Sequence, residues 1–299
     1  MRKYMNTCEL AGYLGINEKK IYSLIRDKNL PATKITGKWG FYKELVDIWL
    51  ENSIENYPSL LKKQNGILMV TGSNDPLLDY MLNRIEKSEH PVFSFFCNTG
   101  SLYGLTMLNA GKVHISGSHL MDTDSEEYNI YFLASSFSNL RVVAINFAYR
   151  QQGLIVKSGN PLKIKGWSDL GRHGIRFINR NKGSGTRLLI DEYLKKVGID
   201  SSMVNGYETE AITHLEVGIS ILKGDVDAGV GIKTAADMLN LDFIPLKKER
   251  FDLVIPREYF FSGDIQQIMT GLRSSQFKEK ASMFGGYDTR DSGQIMYTS

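Results

Sequence analysis

Cysteine is almost absent from the 299 residues: only Cys8 and Cys97 occur, far apart and without metal-ligand spacing. That scarcity excludes a disulfide framework and a zinc site, and it fits a reducing compartment in which each thiol is expected to be a small buried side chain. Long apolar runs are absent too. No stretch approaches the ~20 apolar residues of a membrane span, and the basic residues after Met1 are not followed by an apolar segment, so neither a membrane anchor nor a signal peptide is expected. The expected location is cytoplasmic. The five histidines, His90, His114, His119, His173 and His214, make no recognisable motif with Ser, Cys or Asp, so no catalytic residue, no metal and no cofactor is expected, and the chain is not expected to be an enzyme. What is present is a 42% hydrophobic composition, enough to bury a substantial core in about two folding units at ~150 residues each.

The net charge of +3 hides an asymmetry. Residues 1–43 carry nine basic residues (Arg2, Lys3, Lys19, Lys20, Arg26, Lys28, Lys34, Lys38, Lys43) against Glu9, Glu18 and Asp27, so this segment is +6 and the rest −3. A basic cap on a mildly acidic body suits a nucleic-acid-binding module joined to something else, although a solvated basic face alone has the same charge. The local pattern separates the two readings. TCELAGYLG offers Thr7 as an N-cap, then Leu10, Ala11 and Leu14 at helical spacing, then Gly15 as a stop. Asn17 caps a second helix with Ile21, Leu24, Ile25 and Lys28 on one face and Glu18, Lys19, Tyr22, Ser23 and Arg26 on the other. Two short helices around a glycine, the second polar outside, form a helix-turn-helix. After Pro31, ATKI, Thr36-Gly37 and KWGF alternate as a small hairpin, and a third helix turns Leu45, Val46, Trp49 and Leu50 inward.

The stretch TCELAGYLGINEKKIYSLIRDKNLPATKITGKWGFYKELVDIWL resembles the excisionase and MerR-like winged helix-turn-helix family. The resemblance implies a second helix in the major groove, with Lys19, Lys20, Tyr22, Ser23 and Arg26 as groove or phosphate contacts and Lys34, Lys38 and Trp39 on the wing. Trp39 is equally readable as core. The expected organisation is a DNA-binding domain over residues 1–55, a linker over 56–64 and a second domain over 65–299.

That second domain reads as α/β. GILMV, VFSFF, VHIS, IRFI and DAGVGI are short apolar runs between helical stretches, which suggests a mainly parallel sheet. Small polar residues cluster where strands give way to helices: Thr71-Gly72-Ser73-Asn74-Asp75, Asn98-Thr99-Gly100-Ser101, Gly117-Ser118-His119, and the run from Asn179 to Arg187. One Ser or Thr at such a junction is ordinarily an N-cap. Four junctions in one domain amount to a donor-rich cage for an anion, helped by helix dipoles. GSGTR lacks the glycine spacing and the Lys-Ser/Thr ending of a nucleotide-hydrolysing loop.

TGSNDPLLDYML, NTGSLYGLTMLNAGKVHISGSHLMD, YRQQGLIVKSGNPLKIKGWSDL, FINRNKGSGTR, ILKGDVDAGVGI, FIPLKKERFDLVIP and GGYDTRDSG together resemble type II periplasmic-binding-protein domains of the molybdate- and tungstate-binding kind. The resemblance implies two lobes, one over about 65–147 and 245–299, the other over about 148–244. It implies a tetrahedral oxyanion, tungstate or molybdate, held by Ser73, Ser101, Ser184, Gly185 and Thr186, with Asn74, Ser118, His119 and Arg187 added. On its own His119 reads as a hydrogen-bonded structural histidine, and the basic Arg180 and Lys182 would suit an organic carboxylate. The whole then reads as an α/β, two-lobed sensor behind a winged helix-turn-helix: a homodimeric, ligand-responsive regulator of an operator in double-stranded DNA. A sensor of sulfate, phosphate or a carboxylate, an enzyme, and a recombination accessory protein are the alternatives.

Overall fold

The computed structural model describes residues 4–35, 37–53, 66–89, 91–122, 125–136 and 140–299; the expected linker at 56–64 and Thr36 of the hairpin lie outside them. The chain divides into two compact units, Met1–Ser59 and Leu60–Ser299.

In the first unit, strand β1 (Tyr4–Asn6) leads into helix α1 (Thr7–Leu14), then α2 (Glu18–Asp27), the hairpin β2 (Thr33–Ile35) and β3 (Lys38–Tyr42), and α3 (Lys43–Asn52). The N-cap of α1 is Asn6, not Thr7: the Asn6 side chain accepts from the Glu9 amide while the Glu9 carboxylate accepts from the Asn6 amide, each at 2.9 Å. Gly15 ends that helix in the left-handed region, and Asn17 caps α2 by accepting from the Lys20 amide. The hairpin pairs Lys34 with Trp39, and β1 adds a third strand on the other side of β3. Three residues are too few to give β1 a readable period. Met5, Leu10, Ala11, Ile21, Leu30, Phe41 and Val46 form the core. The third helix departs from expectation: Val46 is buried and Trp49 packs against the core with its indole N–H on the Lys28 carbonyl, but Leu45 and Leu50 are exposed. A ten-residue helix laid on so small a core buries only a narrow stripe.

The second unit runs β4 (Ile67–Gly72), α4 (Pro76–Glu86), β5 (Phe93–Asn98), α5 (Ser101–Asn109), β6 (Ile115–Ser118), α6 (Ile130–Ser136), β7 (Val142–Val156), β8 (Phe177–Arg180), α7 (Gly185–Lys196), β9 (Glu210–Ala211), α8 (His214–Lys223), β10 (Ala228–Ile232), α9 (Lys233–Met238), β11 (Asp242–Pro256), α10 (Arg257–Phe260), α11 (Gly263–Arg273), α12 (Ser275–Phe284), β12 (Tyr287–Asp288) and β13 (Ile295–Thr298). The sheet order is β5-β4-β6-β11-β7-β10-β8-β9, with β12 and β13 also on β7. The outer triplets β5-β4-β6 and β10-β8-β9 are parallel, as expected. The centre is not. Strands β7 and β11 run antiparallel to each other for their full 15 residues, from Asp242 opposite Val156 to Pro256 opposite Val142, and β6, β10, β12 and β13 each pair with one of them antiparallel. The sheet is therefore mixed rather than mainly parallel, because two strands belong to both halves.

Each half has its own core. In the first, Leu77 and Met81 of α4 and Ile268 and Leu272 of α11 pack with Phe147, Phe251 and Phe277; the Phe147 ring meets the other two edge-on at 5.5 and 5.3 Å. In the second, Leu154, Phe177, Ile190 and Val230 fill one face and Ile155, Ile178, Val217 and Ile232 the other. The thiols differ from expectation: Cys8 and Cys97 are both exposed, Cys97 on the edge strand β5 beside the exposed Phe93 and Phe95.

These packings predict a contrast in stability. Phe147→Ala removes the ring that joins β7, β11 and α12 and should cost ~3–5 kcal/mol, whereas Leu45→Ala on the exposed side of α3 should stay within ~0.5 kcal/mol. Urea denaturation of both variants checks this, and comparable losses would contradict the core assignment.

Candidate functional site

Two sites emerge, one in each unit. On α2, Lys19, Tyr22, Ser23 and Arg26 share a stripe by their spacing of three, four and seven, with Lys20 beside it. All but Ser23 are exposed; the Ser23 hydroxyl is turned back to the Lys20 carbonyl at 2.9 Å. Arg26 lies against its neighbour Asp27 at 2.8 Å on an open surface, a pair that a phosphate can displace. On the wing, Lys34 and Lys38 are exposed, and the Lys34 ammonium lies 5.4 Å over the Trp39 ring. Trp39 is half-buried against the core, so it is core and wing at once.

In the second unit the strand-to-helix junctions converge around His119. Gly72, at φ +109°, lies so close to Gly117 that an added Cβ would stand 2.1 Å from the Gly117 carbonyl oxygen, and this tight turn lets the Ser73 amide bond that oxygen at 2.9 Å. The Leu102 amide donates to the Gly183 carbonyl at 3.2 Å, and a Cβ on Gly185 would stand 2.8 Å from His119 Cε1. The loops before α5 and α7 thus touch each other and the histidine.

Hydroxyl valence decides what these side chains offer. Ser184 caps α7 by accepting from the Arg187 amide at 3.1 Å, Ser101 accepts from the His119 amide at 3.2 Å, and Thr186 accepts from Gln152 Nε2 at 3.0 Å. Each therefore keeps its O–H free to donate, beside the orphan first-turn amides of α5 and α7 that include Gly185. Ser73 behaves oppositely. His119 Nδ1 faces Glu249 Oε2 at 2.7 Å and so carries a hydrogen; the neutral ring then accepts at Nε2, 3.0 Å from Ser73 Oγ. The Ser73 proton is committed to His119, contrary to the donor role expected of it. Burial holds the His119 pKa below its ordinary value despite Glu249, which keeps the ring neutral.

Glu249 is held in turn. Arg150, directly opposite it in the β7/β11 ladder, reaches Glu249 Oε1 at 2.6 Å with one nitrogen and Asp75 Oδ2 at 2.9 Å with another, while stacking 4.1 Å over the Phe251 ring. Burial opposes ionisation of Glu249, but Arg150 and His119 outweigh it and hold its pKa below the usual carboxylate value. Asp75 also caps α4, accepting from the Leu77 and Leu78 amides. Across the sheet, Arg180 at the end of β8 is 2% exposed and donates to the carbonyls of Ala211 and Ile212 and to His214 Nδ1.

Three expected ligand residues are occupied elsewhere. Asn74 donates to Asp79, and Ser118 donates to Asn129 in a buried network with Asp252 and Arg250. Arg187 is tied to Asp191, Glu210 and the Arg180 carbonyl and stacks 4.4 Å over Tyr207. Lys182 is exposed, 3.7 Å from Glu208. Sequence reasoning missed Asp75, Arg150, Gln152, His214 and Glu249. It also missed that a serine, a histidine and a glutamate line up. The one available signal was the charge and amide inside the apolar strand YRQQGLIV; KKERF reads as a solvated run. A separate groove of about 810 Å³ lies between α4 and α11, lined by Met81, Arg84, Ile85 and Gln267 among others, and shares no residue with this cluster.

The fold and the polar cleft between two strand-linked halves define a substrate-binding domain behind a DNA-binding one, and comparison with known proteins agrees. The model of the PBP superfamily domain matches residues 82–273, and that of a helix-turn-helix domain matches 4–53. The chain belongs to the PBP superfamily and carries a helix-turn-helix domain at its N-terminal side. It is 31% identical over 302 residues to the uncharacterized protein YvgK of Bacillus subtilis (strain 168), across 96% of each chain. It is 36% identical over 110 residues to a Clostridium pasteurianum protein from the 5' region of a ferredoxin 2Fe-2S gene, across 36% of this chain and 97% of that one. Solved structures share the fold at low identity. A substrate-binding protein with bound phosphate from Clostridium perfringens has a TM-score of 0.55 at 15% identity, over 73% of this chain and 97% of that one. The sulfate-binding protein SubI of Mycobacterium tuberculosis H37Rv has 0.54 at 15%, over 75% and 86%, and the tungstate ABC transporter structure from Geobacter sulfurreducens 0.51 at 15%, over 73% and 98%. Among the described residues no helix is long and apolar enough to cross a membrane.

Two predictions follow from the donors. Replacing Lys20 or Arg26 by Ala should weaken binding to a mixed-sequence DNA duplex and lower the salt slope by ~1 per lost phosphate contact, read by fluorescence anisotropy over a salt series; unchanged slopes in both would remove α2 from the interface. In the cleft, Ser184→Ala deletes a free O–H donor and should cost one to two decades of anion affinity, at ~1.5–3 kcal/mol for a hydrogen bond to a charge. Ser73→Ala, whose proton is already committed, should cost several-fold less by calorimetry at pH 8. The reverse order would show that the His119 ring has the other tautomer.

Proposed function

We propose that this chain is a ligand-responsive, DNA-binding transcriptional regulator, acting in the cytoplasm as a homodimer, whose two-lobed domain senses a small oxyanion, tungstate or molybdate first. The observation that carries the proposal is the set of three hydroxyls, Ser101, Ser184 and Thr186, each of which accepts from an N–H and so keeps a proton to give. Fully ionised tetrahedral oxyanions carry acceptors alone, and hydroxyl donors beside helix amides match them. The tungstate and sulfate neighbours in the solved structures are consistent with this, as fold likenesses. The buried Arg180 favours a second reading, a phosphate or small carboxylate sensor.

Dimerisation follows from the DNA side: one short recognition helix reads only a few base pairs, so two copies on a near-palindromic operator are needed for a specific site. The row Ser73, His119, Glu249 has the order of a nucleophile, base and orienting carboxylate. Ser73 is only 2% exposed and the two domain types are for binding DNA and substrate, so we read the row as a positioning chain.

The test is reciprocal. Any change that tungstate makes in affinity for the operator must equal the change that the operator makes in affinity for tungstate, typically 1–3 kcal/mol. Titrating each with and without the other, on an operator selected from random duplexes, should give matched shifts. Equal affinities in both pairs of titrations for every oxyanion that binds would sink the sensor reading, even with each domain binding its own partner.

A further inference from the structure

We infer that Arg180 and His214 form the charge anchor of the cleft, a guanidinium and a neutral N–H donor that together hold the anionic oxygens of the ligand and set its specificity. This rests on the oxyanion-sensor reading and names the residues that would decide which anion fits.

Arg180 has five N–H donors, and its three partners are the carbonyls of Ala211 and Ile212 and the ring nitrogen His214 Nδ1 at 2.7 Å. None is a carboxylate, and among the described residues no carboxylate pairs with it, although the side chain is 2% exposed. A buried guanidinium without an ion-pair partner is costly unless an anion meets it. A guanidinium always donates, so His214 Nδ1 must accept and its hydrogen must sit on Nε2. Among the described residues that Nε2–H has no hydrogen-bond partner, in a residue 1% exposed. Two independent features, a buried cation with no carboxylate in contact among the described residues and an unused donor, thus belong to adjacent side chains.

Position agrees. A Cβ on Gly231 would stand 3.7 Å from His214 Nδ1; Gly231 pairs with Gly153 of β7, next to Gln152, the residue that holds Thr186. His214 also feels the charges of Arg150 and Arg180 and the His119 ring, so it belongs with the polar cluster rather than with the surface. Burial and Arg180 keep its pKa well below the ordinary value, and burial and Arg150, against the opposing pull of Glu249 and Glu216, lower that of Arg180 to about 10, still charged at neutral pH. The signal was partly present in FINRNKGSGTR, where Arg180 stands just before the loop, but nothing in sequence connects it to His214.

The experiment uses the full chain. Thermal shifts with tungstate, molybdate, sulfate, phosphate and succinate choose the anion bound most tightly, and calorimetry then compares wild type with His214→Asn, His214→Gln and Arg180→Gln. Asn can place an oxygen where Nδ1 was and keep Arg180 seated, but it has nothing at Nε2, so affinity should fall about ten- to a hundredfold. Gln can return an amide N–H to that place and should recover most of the loss, which a merely structural role for the ring does not predict. Arg180→Gln should lose at least as much as His214→Asn. Wild-type binding with unchanged affinity in His214→Asn and Arg180→Gln overturns the anchor and leaves the sensor reading standing. Asn and Gln being equally weak also overturns the donor role. If Arg180→Gln has no melting transition, the two His214 variants decide. No shift of wild type with any of the anions overturns both readings.

Discussion

The cleft depends on one cross-strand ion pair, Arg150 opposite Glu249 in the ladder shared by both halves. Arg150 also holds Asp75, which caps α4 and receives the Tyr287 hydroxyl; Glu249 holds His119, which receives Ser73. A buried pair of this kind is not a source of net stability, because desolvation offsets the attraction, but breaking it by removing one partner costs ~3–5 kcal/mol. Its consequence is geometric. The hinge strands, the entrance to α4 and the His119 ring are fixed by one chain of contacts, and the tautomer of His119, hence the direction of the Ser73 proton, is set by it.

What was legible in the sequence follows from range. Asn17, Gly15 and the Ile21 face of α2 depend on neighbours within a few residues, and so do the strand runs and the Ser184 cap; these could be read locally. The antiparallel centre could not, because VVAINFAYRQQGLIV and DFIPLKKERFDLVIP pair across about a hundred residues and carry polar groups that resemble solvated ones. Arg150, Gln152 and Glu249 are buried only because the two strands meet. Leu45 and Leu50 misled in the opposite direction: helical spacing marks an apolar stripe, not how much partner surface exists to cover it. Cys97 misled by residue type, since its strand lies at a sheet edge.

The candidate site was legible as chemistry but not as roles. Small polar residues at four junctions pointed to an anion cage, and the structure brings Ser73, Ser101 and Gly185 to His119, with Ser184 and Thr186 on either side of Gly185 in the chain. Which hydroxyl gives a proton depends on what it accepts, and that is a property of partners such as Gln152 and the His119 amide that lie far away in sequence. Ser118 and Arg187 have the expected residue types near the expected place and spend them on Asn129 and on Asp191 and Glu210.

The same contacts bear on how ligand and hinge are coupled. The halves already meet through Leu102 to Gly183 and through Asn98 Nδ2 to the Ile212 carbonyl at 2.9 Å, each worth a net ~0.5–1.5 kcal/mol. These contacts stabilise the arrangement described, and under the proposed function a ligand would need to supply only the difference in affinity between this arrangement and a more open one to shift the population. Under the proposed function donors drawn from both sides would make that difference: Ser101 sits on the first half, Ser184 and Thr186 on the second, and an anion reaching only one set would gain nothing from closure. Gln152, on a strand common to both halves, ties Thr186 to the long β7/β11 ladder, so a ligand held by Thr186 as proposed would act on the same side chain as the strand pairing.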